Sequence, residues 1–164
     1  MNFVYESAKK IRNVLFVCDD NARHSLIAEA LLRGHGMQGL RAFSAGLEPA
    51  ERADSYTLSA LVLAGLGHEG LWPKHWDGFA DPKRMLVDQV VMIGDGPIQN
   101  LPGRFPGNPE YIAWQFTGDQ SLRSHHGVWR DIQILRSFVE GLVDDLRYKP
   151  LPGQSPLLTA VPAE

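Results

Sequence analysis

The sequence predicts a single α/β domain: a four-stranded parallel sheet flanked by helices on both faces. Three observations predict it. Strand-like apolar runs alternate with segments of helical spacing along residues 11–147, the order that builds a parallel sheet with helical crossovers. The run Val14-Leu15-Phe16-Val17 is continuously apolar rather than alternating, as a strand covered on both faces must be. Cys18, Ser44, Asp95 and Asp119 each follow the end of an expected strand, the edge along which such sheets bind ligands.

Residues 1–10 read as a short lead-in, and Ile11–Val17 as the first strand. A helix is expected over 25–36, with Ile27, Ala28, Leu31 and Leu32 on one side and Gly34, Gly36 and Gly39 ending it. Leu40–Phe43 is a short second strand, stopped by Ser44-Ala45-Gly46. The second helix runs from about Ala53 to Leu66, where Gly65 and Gly67 mark its end. His68–Asp77 is irregular, and Gly78–Met85 reads as a short helix. Val87–Ile93 is the third strand, and Pro97, Pro102, Pro106 and Pro109 make the following stretch a loop. Tyr111–Phe116 is the fourth strand, followed by the turn Thr117-Gly118-Asp119-Gln120. In the last helix Val128, Trp129, Ile132, Leu135, Phe138, Val139, Leu142, Val143 and Leu146 recur at steps of three and four. Residues 148–164 carry four prolines and little to bury, so a disordered tail is expected there.

A chain of 164 residues, 44% hydrophobic and 21% charged, suits one globular domain with one core. A net charge of −3 gives no basic footprint for nucleic acid and no polybasic membrane patch. The longest apolar stretch, around Leu58–Leu66, is too short to span a bilayer, and a cytoplasmic location is the expectation. A single cysteine excludes an internal disulfide and a multi-cysteine zinc site. His125-His126 and Asp144-Asp145 have no ligand spacing with other residues, and no nucleotide-binding glycine pattern is present. Neither a metal nor a cofactor is expected.

The chemistry gathers at Cys18-Asp19-Asp20-Asn21-Ala22-Arg23-His24-Ser25. A tight polar loop between a strand and a helix directs backbone N–H groups and the positive helix end at one point, an anion site. A thiol at its mouth is expected to have a lowered pKa and to act as a nucleophile. A small buried hydrophobe at a strand end is the other role open to Cys18.

The stretch Val14-Leu-Phe-Val-Cys18-x-x-Asn21-x-x-x-Ser25-x-x-Ala28-Glu29-Ala30 resembles the start of low-molecular-weight protein tyrosine phosphatases and the arsenate reductases that share their fold. Weaker similarity runs from about residue 11 to 147. The resemblance implies a four-stranded parallel sheet and a phosphate- or arsenate-like oxyanion ligand held by Asp19, Asp20, Asn21, Ala22, Arg23, His24 and Ser25. It implies Cys18 as nucleophile and Ser44, within Ser44-Ala45-Gly46-x-x-Pro49, as a brace for the loop. Asp119 stands where the family has a general acid that protonates the leaving oxygen, although Gln120 replaces the usual proline; a turn or capping role fits it equally. Asp95 also resembles a family Asp, but before Gly96 a turn residue is the favoured reading. Lys74, in Trp72-Pro73-Lys74-His75, is a candidate cation for the site rim, but a solvated lysine is the favoured reading.

The family loop is Cys-x5-Arg-Ser, and its Arg clamps the oxyanion. Here that position is His24, with Arg23 one residue early, about 100° round on a helix. Imidazole lacks the planar, permanently charged fork of a guanidinium. Asp19 and Asp20 add negative charge where an anion should bind. Three readings follow: a cysteine-dependent phosphatase or arsenate reductase of weak or altered activity, a catalytically inactive pseudo-phosphatase serving as a binding module, or a thiol sensor. Arsenate reduction would use an external thiol such as glutathione or mycothiol, since there is no second cysteine.

Overall fold

The computed structural model describes residues 11–94, 101, 105–116 and 123–149. Four strands, β1 (Arg12–Cys18), β2 (Leu40–Gly46), β3 (Gln89–Ile93) and β4 (Glu110–Trp114), form one sheet in the order β2-β1-β3-β4. All three pairings are parallel. The chain leaves β1 toward β2 on one side and later returns to β3 on the other, which makes the end of β1 a topological switch point, where a crevice opens. Cys18 is the last residue of that strand.

Three α-helices, α1 (His24–His35), α2 (Ser55–Leu63) and α3 (His125–Tyr148), cover one face. Phe16 and Val91 from the sheet meet Leu26 and Ile27 of α1, Leu61 of α2, and Ile132, Leu135 and Val139 of α3 in one buried cluster. The opposite face is covered by a short 3-10 helix, Trp76–Phe79, and by irregular chain. Trp76, Phe79 and Phe105 pack there over Leu15, Val17, Val90 and Met92. Both faces of β1 are therefore dry, as its unbroken apolar run requires.

Several boundaries differ from the sequence reading for identifiable reasons. β2 continues through Ser44, Ala45 and Gly46, which pair with Phe16, Val17 and Cys18; small residues that read as a turn are tolerated because the strand is buried. Asp54 caps α2 by accepting from Thr57 N at 3.0 Å and Thr57 Oγ1 at 2.8 Å, so the helix begins at Ser55, after the cap. The helix expected over 78–85 is absent. Pro82 lies inside it, and proline both removes an N–H and disfavours helical geometry in the residue before. β4 stops at Trp114, where its partner β3 ends at Ile93. α3 is capped by Ser124, which accepts from Gly127 N at 3.1 Å, and runs through Tyr148 into the stretch read as tail. Asp95, Asp119, the lead-in 1–10 and residues 150–164 lie outside the described residues. No helix among the described residues is long and apolar enough to cross a membrane.

Candidate active site

The loop between β1 and α1 is shaped from outside. Leu47 N, Glu48 N, Ala50 N and Asp54 N donate to the carbonyls of Cys18, Asp19, Asp20 and Ala22 at 3.1, 2.8, 2.9 and 3.0 Å. A trans peptide points its C=O and its N–H in opposite directions. Four carbonyls tied outward therefore turn the N–H groups of Asp19, Asp20, Asn21 and Arg23 to the inner side. The amides of Asn21 and Ser25 indeed reach the Cys18 sulfur. The result is a concave array of donors around the thiol, the geometry that holds an oxyanion.

Asn21 holds the bend. Its φ of 50° is left-handed, a conformation that asparagine tolerates better than most residues with a Cβ. Its Nδ2 donates to Ser25 Oγ at 2.7 Å and its Oδ1 accepts from Lys74 N at 2.8 Å. Ser25 Oγ in turn lies 2.9 Å from Cys18 Sγ. Gly46 closes the outside: a Cβ there would stand 2.9 Å from Asp19 O and 3.0 Å from Asn21 Cβ. Asp20 turns back into the loop, its Oδ1 accepting from Ala22 N at 3.0 Å and standing 3.9 Å from Cys18 Sγ. Asp19 is exposed.

The expectation of a lowered thiol pKa is overturned. Burial pushes Cys18 up from 9.0 to about 11, against the hydrogen bonds from the Ser25 side chain and from the amides of Ser25 and Asn21. The negative charge of Asp20 adds to the rise. A thiol so raised is predominantly protonated near neutral pH. Desolvation wins because the thiol is buried, and the hydrogen bonds that favour the anion do not offset it.

Arg23 and His24 also depart from expectation. Arg23 is the N-cap of α1 with φ −139° and ψ −79°, outside the helix, so the 100° spacing of helical neighbours does not separate the two side chains. Both converge on one carboxylate oxygen: Asp131 Oδ2 lies 2.6 Å from Arg23 Nη2 and 3.1 Å from His24 Nε2. Asp131 comes from α3 and is completely buried. Burial alone would raise its pKa, but the His24 hydrogen bond and the Arg23 charge outweigh it and hold the carboxyl below its ordinary 3.8. The His24 ring also packs edge-on against Phe116, centroids 4.6 Å apart. The sequence reading missed Asp131. Its signal was its phase: it lies three residues after Val128 and four before Leu135, inside the apolar stripe of α3.

A second buried carboxylate lies farther along α1. Glu29 accepts hydrogen bonds from Ser44 Oγ and Arg33 Nη2 and lies 3.7 Å from Lys74 Nζ. Burial raises the Glu29 pKa against the opposing Lys74 charge, and burial lowers that of Lys74 against the Glu29 charge. Lys74 is thus not the solvated lysine of the sequence reading. Its side chain is 20% exposed, its Nζ stands 5.1 Å over the Trp72 ring, and its carbonyl accepts from Gly46 N at 2.7 Å. Among the described residues no group of His, Cys, Asp and Glu is arranged to hold a metal.

Beside the loop opens a cleft of about 430 Å³, lined by Asp20, Ala22 and Arg23 of the loop, Arg52 and Asp54 before α2, and Arg123 before α3.

This architecture recurs in known proteins. The chain is similar to a thioredoxin-dependent arsenate reductase of Corynebacterium glutamicum, with 26% identity and a TM-score of 0.68. That alignment covers 85% of this chain and 64% of the reductase, so the chain spans just under two thirds of its length. An arsenate reductase in a phosphate-bound state matches with 24% identity and a TM-score of 0.69, over 82% of this chain and 98% of the other. An arginine phosphatase of Geobacillus stearothermophilus shares the fold at 18% identity and a TM-score of 0.69, over 88% and 98%. The sequence pattern of the low molecular weight phosphotyrosine protein phosphatases matches residues 13–112, from β1 through the loop to β4. The sheet order, the loop at the switch point and this match over more than half the chain agree: the chain belongs to the low molecular weight phosphotyrosine protein phosphatase family.

Proposed function

We propose that this protein binds a tetrahedral oxyanion, phosphate or arsenate, in the Cys18–Ser25 loop and acts as a cysteine-dependent phosphatase or arsenate reductase of low or altered activity. The observation that carries this reading is the convergence of the Asn21 and Ser25 amides on the Cys18 sulfur, with the loop carbonyls tied outward. In the phosphatase reaction the Cys18 sulfur attacks phosphorus, the ester oxygen leaves with a proton from Asp119, and water releases phosphate from the thiophosphate. With arsenate, the two electrons that reduce As(V) come from Cys18 and an external thiol. The cost of the altered loop falls on rate: the fork of a loop guanidinium is missing, and losing one such oxyanion contact costs ~10²–10³ in turnover.

Iodoacetamide labelling of Cys18 in the presence of inorganic phosphate tests the binding. Saturable protection, shared by arsenate, is expected; labelling that phosphate leaves unchanged overturns the reading. Release of inorganic phosphate from aryl and alkyl phosphate esters, lost in Cys18→Ser, tests the chemistry. One observation favours a second reading, a silent binding module: both basic side chains of the loop are engaged by Asp131. Protection without any turnover selects it.

A further inference from the structure

We propose that the cleft beside the loop binds a second anionic group of the ligand, so that the preferred substrate is a compact phosphate ester that also carries a carboxylate or another phosphate. The proposal rests on the oxyanion reading above and deepens it. The cleft shares Asp20, Ala22 and Arg23 with the loop, so it adjoins the place where an oxyanion would be held. Among the described lining residues the two acids are already supplied with donors: Asp54 by Thr57 N and Oγ1, Asp20 by Ala22 N. Its two further cations are not supplied with acceptors. Arg52 and Arg123 are exposed on opposite flanking segments, and neither makes a hydrogen bond or ion pair among the described residues.

Among the described residues no aromatic side chain lines this cleft; their apolar contribution is Ala22, Ala50 and Ala53. An aryl ester would find no flat apolar wall there, while its burial would dry two guanidinium groups without a counter-charge, a net cost. A carboxylate or phosphate presented to Arg52 and Arg123 instead receives charge-assisted, forked hydrogen bonds.

Glycerol 3-phosphate and 3-phosphoglycerate form a matched pair of probes, differing only in a CH2OH group against a carboxylate. Their dissociation constants, with that of inorganic phosphate, are to be measured by calorimetry at low ionic strength. The wild-type protein should bind 3-phosphoglycerate at least about fivefold more tightly than glycerol 3-phosphate, less than one charge-assisted hydrogen bond can supply. Arg52→Gln with Arg123→Gln should bring the two esters to within about twofold of each other, and added salt should narrow the wild-type gap. Both substitutions are at exposed positions, and a thermal melt checks that the fold is kept. A wild-type preference below about fivefold, or one that survives both substitutions, overturns the proposal. If inorganic phosphate itself fails to bind, the oxyanion reading falls and takes this one with it. If phosphate binds while the two esters bind alike, only the cleft assignment falls.

Discussion

Asp131→Asn tests whether the buried carboxylate of α3 holds the loop. The substitution keeps shape and one acceptor but removes the charge that faces Arg23 at 2.6 Å and His24 at 3.1 Å. The Arg23 side chain is 8% exposed and Asp131 wholly buried, so water screens the loss poorly. Removing one partner of a buried pair costs about 3–5 kcal/mol, chiefly because the other charge is stranded. At about 2–4 °C per kcal/mol for a chain of this size, the melting temperature should fall by roughly 6–20 °C. Urea unfolding gives the free energy directly. Adding Arg23→Met should restore part of it, the double variant losing less than the two single losses summed by at least about 1 kcal/mol. The effect also has a sign in pH. The folded-state pKa of Asp131 is held below its ordinary 3.8, so the stabilisation is present above that value and disappears as pH falls through the folded one. The gap between wild type and variant should therefore be constant near neutrality and close in acid. A loss under about 1 kcal/mol at pH 7, or a gap that persists unchanged at low pH, would refute the argument.

Three further outcomes follow from the site. The rate of Cys18 alkylation should climb with pH toward a midpoint near 11 rather than below 9.0; a midpoint below 9.0 would show that the loop amides outweigh burial. Asp20→Asn removes the charge 3.9 Å from Cys18 Sγ, so the midpoint should move down and inorganic phosphate should bind about three- to tenfold more tightly by calorimetry. Gly46→Ala drives a Cβ to 2.9 Å from Asp19 O and 3.1 Å from Asn21 N, so the folded variant should lose phosphate protection of Cys18; retained protection would mean the loop does not depend on that close approach.

What the sequence made legible was the part written locally. β1 and the apolar phase of α1 and α3 follow from runs and spacings within a few residues, and the loop follows from its position between them. What it concealed was written across distance. Asp131 meets His24 from 107 residues away, and an Asp after Arg130 in a long amphipathic helix reads as solvated until its phase is counted. Lys74 was hidden in the same way: nothing near Trp72-Pro73-Lys74 announces Glu29 as its counter-charge. The thiol was misjudged for a different reason. Sequence places a helix start beside it, which favours the anion, but says nothing of how completely the loop would seal it from water.

The outward anchoring of the loop carbonyls separates two kinds of inheritance. Their partners are main-chain donors from residues 47–54, and no side-chain replacement at positions 19, 20, 23 or 24 deletes a backbone N–H on that neighbouring strand of chain. Mutational drift can therefore rewrite the charges inside the ring while its outline is copied faithfully. A lineage that lost the guanidinium would keep a vessel of the ancestral form, ready to be refitted for another ligand, and selection could exchange reactivity for recognition without passing through an unfolded intermediate.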